Sequence, residues 1–399
     1  AYAWGCGAEG NYNRFCSNGT FDLYDFRSDN EKRLTDVVQT SVSGKAVIGG
    51  LLNELDFEIM RNRRRDRLPP AQAYNGVGTG SIDGPSNAPA DSNPGFTNTD
   101  RSEYSTEISA KNRIQLTPKT SVWLGLRHVE FNRASSQNDP ANTYAAQYSS
   151  AINLPWVAAS QNLSPSTVIY VSHGHGVEQF VTPNSALFAN PGTQLGIGRS
   201  RQTELGIRQS ANQKLTLNAA VFQIERPLAY DVFDDMTFKS TRLLDGTQKH
   251  EGIELGAKYT EHNLLLGTQA QWLQTSINGV QQTTGVVGNQ PTNVPHFVLR
   301  GLAEYRYSSI PGLRTALRVS HEGARNVTED GGTQLPAWTT WGTSAHYDTK
   351  VNNMASTWTV AIENLEDKHY WRESPKQFGH YYLYPGAPRT LRASVQFRL

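Results

Sequence analysis

The chain has 399 residues, 37% of them hydrophobic and 10% aromatic, with 34 glycines and a mean hydropathy of −0.54. Its 37 basic and 36 acidic residues nearly cancel, so no global charge directs it to nucleic acid. The longest apolar run, AVIGGLL at 46–52, falls far short of the ~18 residues of a membrane helix, which excludes helical spanning and leaves spanning by strands open.

The opening AYAWGCGAEG has neither the basic stretch nor the apolar core of a secretory leader, so the start is expected to be processed or incomplete. Cys6 and Cys16 are the only cysteines and lie in a Gly/Asn-rich stretch. In an oxidising compartment they are expected to staple a loop as a disulfide; the alternative is two free thiols. TFDLYDF at 20–26 is read as a short strand extension.

From residue 31 onward the pattern has a period of two. In 121–128, Val122, Leu124, Leu126 and His128 oppose Ser121, Trp123, Gly125 and Arg127. In 251–259, Glu251, Ile253, Leu255, Ala257 and Tyr259 oppose Gly252, Glu254, Gly256 and Lys258. The C-terminal RTLRASVQFRL sets Leu391, Ala393, Val395, Phe397 and Leu399 against Arg392, Ser394, Gln396 and Arg398. Such alternation makes strands with one apolar and one polar face, and glycine inside so many segments argues against helices. Fifteen strands are predicted, roughly at 31–46, 52–65, 101–116, 119–133, 148–161, 166–175, 198–211, 214–227, 247–260, 263–278, 295–308, 313–325, 335–349, 355–367 and 389–399.

Tight connections (TPK at 117–119, LSPS at 163–166, ANQK at 211–214, EHN at 261–263, SIPG at 309–312, KVNN at 350–353) alternate with long ones at 66–100, 134–147, 177–197, 228–246, 279–294, 326–334 and 368–388. The spacing is a repeat of hairpins. Strict segregation of short turns from long loops predicts an all-β fold, a transmembrane antiparallel β-barrel with short periplasmic turns and long extracellular loops; a soluble sandwich or propeller does not sort its loops this way. Single-chain bacterial barrels have an even strand number with both ends periplasmic. An odd count that starts in an external loop therefore predicts that the front of the barrel is missing.

The end of the chain resembles a known family. IENLEDKHYW at 362–371 looks like the near-terminal "NLFDK-Y" segment of TonB-dependent outer-membrane receptors of the siderophore branch, and GHYYLYPGAPRTLRASVQFRL at 379–399 looks like their PGAPR loop and closing strand. LTPKTSVWLGLRH at 116–128 and SRQTELGIRQ at 200–209 are similar in flavour. Two positions depart from the pattern: Glu366 stands where an aromatic usually follows the Leu, and Leu399 stands where an aromatic usually ends the chain. The resemblance implies a barrel of about 22 strands around an N-terminal plug. Residues 1–399 then form the C-terminal part of the barrel, with the plug and first strands outside this sequence. It implies a multi-pass protein of the bacterial outer membrane that takes up a ferric siderophore by coupling to TonB–ExbB–ExbD, in contact with outer-membrane lipid and lipopolysaccharide, with no cofactor and no nucleic-acid partner. The rivals are a passive porin-type channel, a receptor for haem or cobalamin, and a surface enzyme or adhesin built on a barrel. The last lacks support, because no G-x-S-x-G, H-E-x-x-H or P-loop pattern occurs.

Candidate ligand-binding residues are read at the rim and in the loops: Arg63, Arg65, Tyr74, Tyr230, Tyr370, Trp371 and Tyr382. Tyr144 and other loop aromatics share the same expectation, since aromatic and Arg side chains are rigid anchors. Arg61, Arg63, Arg65 and Arg67 of RNRRRDR share one strand face and Arg64 the other. Three readings are open: a lumen-facing row that attracts an anionic iron chelate, an outward row that pairs with lipopolysaccharide phosphates, and a solvated rim paired with residues such as Asp66. No metal site is expected, because His173 and His175 of SHGHG are only two ligands. Arg127, Glu204, Arg208, Glu254, Lys258, Arg300, Glu304, Arg392 and Arg398 are expected to face the lumen, since Arg or Lys facing lipid near the midplane costs about 2–4 kcal/mol.

Overall fold

The computed structural model describes residues 2–10, 15–69, 71–84, 87–93, 95–138, 145–183, 187–212, 214–377 and 380–398. Tyr144 and Leu399 lie outside them. Fifteen long strands form one antiparallel sheet in chain order. They are β1 (Lys32–Ile48), β2 (Leu51–Arg67), β3 (Thr99–Thr117), β4 (Thr120–Gln137), β5 (Ala145–Ser164), β6 (Thr167–Val181), β7 (Gln194–Ala211), β8 (Leu215–Asp234), β9 (Lys239–Glu261), β10 (Leu264–Asn278), β11 (Phe297–Arg306), β12 (Leu313–Glu322), β13 (Trp338–Val351), β14 (Met354–Glu363) and β15 (Thr390–Arg398). Each predicted strand is present. Among the described residues β1 and β15 are laddered on one side only.

Sidedness follows from register. Directly paired residues point to the same face, so Leu205, Val221, Ile253 and Trp272 form one continuous outward row across β7 to β10. These four side chains are 46–54% exposed, as an apolar band turned toward lipid requires. On β11 the row carries Phe297, stacked on Trp272 at 4.9 Å, at one end and Tyr305 at the other. Their separation is roughly 26 Å along the strand, before tilt, close to the ~25 Å apolar band of outer-membrane barrels with its aromatic girdles. Tyr347, Trp358 and Phe397 continue the lower girdle on β13 to β15. The opposite face holds the charges expected in the lumen. Arg127 pairs with Glu107 at 3.3 Å, Arg392 with Glu363 at 3.2 Å, Arg314 with Glu304 at 4.0 Å, and Arg300 with Glu322.

Two local features need glycine. Gly49 and Gly50 both have positive φ, 61° and 79°, which lets Ile48 and Leu51 close a two-residue hairpin at the tight-turn end. On the polar face Tyr170 lies flat across its pairing partner Gly206: a Cβ on Gly206 falls 2.4 Å from the ring. There the Tyr170 hydroxyl donates to Glu204 at 2.6 Å, and the Arg208 guanidinium stands 5.6 Å from the ring centre.

The loops hold more strand than the sequence showed. The segment 228–246, expected as a loop, is mostly the continuation of β8 and β9, which pair as far as Asp234↔Lys239. TFDLYDF does not extend the barrel. Its strand, Thr20–Arg27, joins Tyr2–Trp4, Ala71–Ser81 and Phe96–Thr97 in a separate four-stranded sheet. Part of the expected 66–100 loop is therefore also sheet. The Cys6–Cys16 disulfide staples this unit, with Cys6, Leu23 and Ala73 buried. Asp25 ties it to the loop, accepting from the Asp91 amide at 2.7 Å and from Arg27 at 3.1 Å; the amide bond foremost holds its carboxyl below the ordinary value.

The near-terminal motif is a clamp. Asn364, at φ 50°, donates from Nδ2 to the carbonyls of Lys368 and Ala387, both at 2.9 Å, and accepts from the Lys368 amide. Asp367 accepts from the Arg389 amide at 2.8 Å. The 364–389 excursion is thus closed at its base, and β15 returns to β14 in register at Glu363↔Thr390. Glu366 is exposed, so the departure from the family pattern falls on a residue whose side chain the clamp does not need.

Gly206→Val is expected to displace Tyr170 and destabilise the barrel by about 1–3 kcal/mol, as overpacking does. Heat-modified migration of the closed, full-length receptor on gels would shift to lower temperature, and adding Tyr170→Ala should recover part of the loss. An unchanged transition contradicts the close ring-on-backbone contact.

Candidate functional site

At the long-loop end, the polar face of the sheet and the loops above it enclose a cavity of about 360 Å³. Its floor is Gln248 and Ile277, which pair across β9 and β10 on the lumen side. Its wall is the protruding β8–β9 hairpin. Pro227 lacks an amide donor, and the register slips between Pro227 and Ala229, re-aiming the chain as a bulge does. Beyond the slip, Tyr230 and Asp231 enter the wall opposite Leu243 and Arg242. The roof is Gln290, Pro291, Thr292 and Glu329.

These loops are tied to one another. Asp245 accepts from the amides of Val280 and Gln281 at 2.7 and 2.9 Å, fixing the short turn Val280–Thr283. The Gly288 amide donates to the Glu329 carbonyl at 2.6 Å, and the Asn293 amide to the Asn326 carbonyl at 2.8 Å. Asn293 in turn accepts from the Ser374 amide at 3.1 Å. The cavity is therefore bounded by hydrogen-bonded walls, and its size is within the usual range of small-molecule sites.

The polar lining is mixed. Arg242 makes a bidentate pair with Asp231 at 2.6 and 2.7 Å and lies 5.5 Å from the Phe188 ring centre. Burial, with Glu329 and Asp245 adding like charge, pushes the Tyr230 phenol up to about 12, so it remains a neutral donor at any physiological pH. The lining offers donors and acceptors converging on one space. Among the described residues it forms no nucleophile–base pair of the kind covalent catalysis uses.

The structure brings only some of the sequence-selected residues here. Tyr230 lines the cavity. Tyr370 packs on Trp338 at 4.6 Å, beside Arg300, Glu322 and Arg325, in a neighbouring cluster on the lumen side. Trp371 is exposed on the last long loop, and Tyr382 is anchored there through its amide to the Pro375 carbonyl at 3.0 Å. Tyr74 sits in the separate sheet opposite Phe26; its side chain lies outside the described residues. Arg63 and Arg65 share the outward face of β2 with Phe57 and Ile59, away from the cavity. Gln248, Arg242, Gln290 and Glu329 were not selected from sequence. Pro227 inside an alternating run was the one signal that a strand bulged there.

His173 and His175 also face outward, their rings 5.2 Å apart. The only cluster of metal-binding types found among the described residues is Cys6, Glu9 and Cys16, whose thiols are consumed by the disulfide. A second depression of about 500 Å³, lined by Leu55, Phe57, Leu124, Leu126 and Val157, belongs to the apolar outward surface.

Replacing Tyr230 with Phe tests the half-buried phenol. Between pH 9.5 and 11, where ordinary tyrosines with pKa about 10 ionise, tyrosinate absorbance is expected to be the same in variant and parent, and to differ only near pH 12. A one-tyrosine difference centred at pH 10 contradicts the burial.

No curated protein matches the chain. Solved structures do. The ferric preacinetobactin receptor BauA of Acinetobacter baumannii superposes with a TM-score of 0.73 at 21% identity, over 96% of this chain and 56% of that one. The ferric-catecholate import receptor Fiu of E. coli K12 gives 0.72 at 16%, over 92% and 54%. The ferric yersiniabactin uptake receptor FyuA of Yersinia pestis gives 0.68 at 16%, over 96% and 56%. The chain thus spans about half the length of these structures, and at such identities the likeness is one of fold. Residues 2–365 match the family model described as TonB dependent receptor-like, beta-barrel, and the chain belongs to that family of outer-membrane receptors, which are not enzymes.

Proposed function

We propose that the protein is the receptor for energy-dependent uptake of a ferric siderophore, coupled to TonB–ExbB–ExbD. The observation that carries this reading is the walled cavity around Tyr230, on the lumen side at the long-loop end of a barrel of this family. It lies where a ligand arriving from outside first meets the barrel, and its donors and acceptors suit an oxygen-rich chelate. The ferric-chelate receptors named above support the ligand class by analogy.

The two sheet edges support a further part of the reading. An unpaired strand edge in lipid leaves backbone groups without partners, each at a cost of several kcal/mol. We place the strands that close β15 onto β1, together with the plug and the TonB contact, in parts of the protein outside these 399 residues. Expressed alone, the 399 residues are then expected to give no SDS-resistant, heat-modifiable barrel. A stable closed barrel from them would overturn that placement.

The function is tested by growth. A deletion strain under iron limitation, supplied with catecholate, hydroxamate or citrate-type chelates, is expected to fail on at least one and to recover with the gene restored. Tyr230→Ala combined with Ala229→Trp, which fills the cavity, should raise the chelate concentration required by roughly tenfold or more, as loss of a central anchor does. Growth that never depends on the gene sinks the siderophore assignment, and dependence on haem or cobalamin moves the receptor to that ligand.

A further inference from the structure

The floor of the cavity has a titratable side chain behind it. Gln248 is 9% exposed and lines the cavity; His250, on the same face of β9, stands outside the lining. Ile253 of the outward row pairs with Trp272 of the upper girdle, and His250 pairs with Thr275 farther along β10. His250 therefore sits above the apolar band, at the long-loop end.

The two side chains meet nitrogen to nitrogen, with Gln248 Nε2 2.9 Å from His250 Nε2. An amide nitrogen only donates, so the imidazole nitrogen accepts and carries no proton. A neutral imidazole protonated on Nδ1 satisfies this bond. The same bond directs the amide. With its N–H2 group turned back to His250, the Gln248 carbonyl oxygen is the end available to the cavity. Among the described residues the Gln248 side chain has no second hydrogen-bond partner.

The surroundings favour the neutral ring. Ile224 and Thr275 flank it across the ladder. Burial foremost, then the Arg226 guanidinium, hold its pKa below the ordinary histidine value. Arg226 lies opposite Gln248 on β8 and is itself paired with Glu178 of β6 at 2.6 Å. Glu254 lies farther down the same face of β9, and β10 brings no charged side chain beside the ring. Asp231, Arg242 and Glu329 stand in the cavity's wall and roof. Protonation therefore comes at a pH below about 6.5.

We propose that His250 is a positioning residue that sets the hydrogen-bond polarity of the cavity floor. Neutral, it fixes the Gln248 carbonyl oxygen as an acceptor for an N–H or O–H of the bound chelate, complementing the donor that Tyr230 provides. Protonated, its Nε2 becomes a donor, takes the carbonyl oxygen for itself and turns the amide N–H2 into the cavity, where it meets the ligand's own donor. This role rests on the cavity being the chelate site. The floor then selects a chelate with amide N–H or free hydroxyl groups beside its iron-binding oxygens, held at neutral pH and released as the pH falls.

The full receptor chain in nanodiscs is tested in two ways. Nitrogen NMR of isotope-labelled histidine reads the tautomer without a ligand. Well above the histidine range, at about pH 8, the His250 signal, identified by its loss in H250F, is expected to show an unprotonated Nε2. Q248L, which has no N–H to offer, should return it to the Nε2–H form that free histidine prefers. Titration calorimetry with an amide-bearing ferric trishydroxamate, an amide-bearing ferric triscatecholate and ferric citrate reads the floor itself. For an amide-bearing chelate that binds, affinity is expected to fall roughly tenfold between about pH 7.5 and pH 5, as a buried donor loses its acceptor. That fall is counted beyond any shown by H250F or H250Q, neither of which titrates, so that the chelate's own protonation cancels. Q248L should bind about as weakly at both pH values as the parent does at the lower one. The parent's own pH response needs no variant to fold. An Nε2–H tautomer in the parent, an unchanged tautomer in Q248L, an equal pH response in parent and H250F, or binding of ferric citrate alone would each overturn the positioning role and leave the cavity a binding site. Failure of all three chelates to bind at any pH sinks the cavity reading, and the role with it.

Discussion

Everything in this molecule depends on the interstrand ladder. A strand in hydrocarbon has no water to satisfy its amides and carbonyls, so each must bond to a neighbouring strand. That requirement makes neighbours in sequence neighbours in space, and it fixes register across all fifteen strands. Once register is fixed, the period of two has no freedom left: a one-residue slip would turn the Leu205–Val221–Ile253–Trp272 row inward and send Glu204, Glu254 and Gln271 to lipid. The charges on the polar face pair with each other because the same rule has collected them on one surface.

The candidate site sits where the ladder is released. Above the band, β8 and β9 slip at Pro227 and their hairpin continues beyond it. The cavity is built there by loops fastened through Asp245, Glu329 and Asn293. The Asn364 clamp does comparable work at the last long loop, returning the chain so that β15 meets β14 without a frame shift. In both places a side chain bonding to backbone replaces the strand-to-strand bonds that end at the band.

One arginine-rich stretch shows how a strand serves two surfaces. Alternation alone divides RNRRRDR into four arginines on one face and Arg64 on the other. The ladder then supplies the partners, Asp66 within the strand for Arg64 and Asp36 across it for Arg65. The same residues read as a list carry no such distinction.

The sequence by itself determined the fifteen barrel strands, their order and the two ends of the barrel, and it favoured the Cys6–Cys16 pair, because alternation, turn residues and loop lengths are local properties. It also placed Arg127, Glu204, Arg208 and Arg392 on the polar face, since burying charge in lipid is too costly to allow another answer. The tertiary structure alone decided which rim residues meet. Tyr230 was legible as a loop aromatic, but its companions come from elsewhere in the chain, Gln248 from β9 and Gln290 and Glu329 from two separate connections. The direction of the Arg61–Arg67 row was equally hidden: the sequence says that four arginines share a face, and only pairing through β3 to β4, which aligns that face with Leu124 and Leu126 of the apolar surface, says that the face is the outer one.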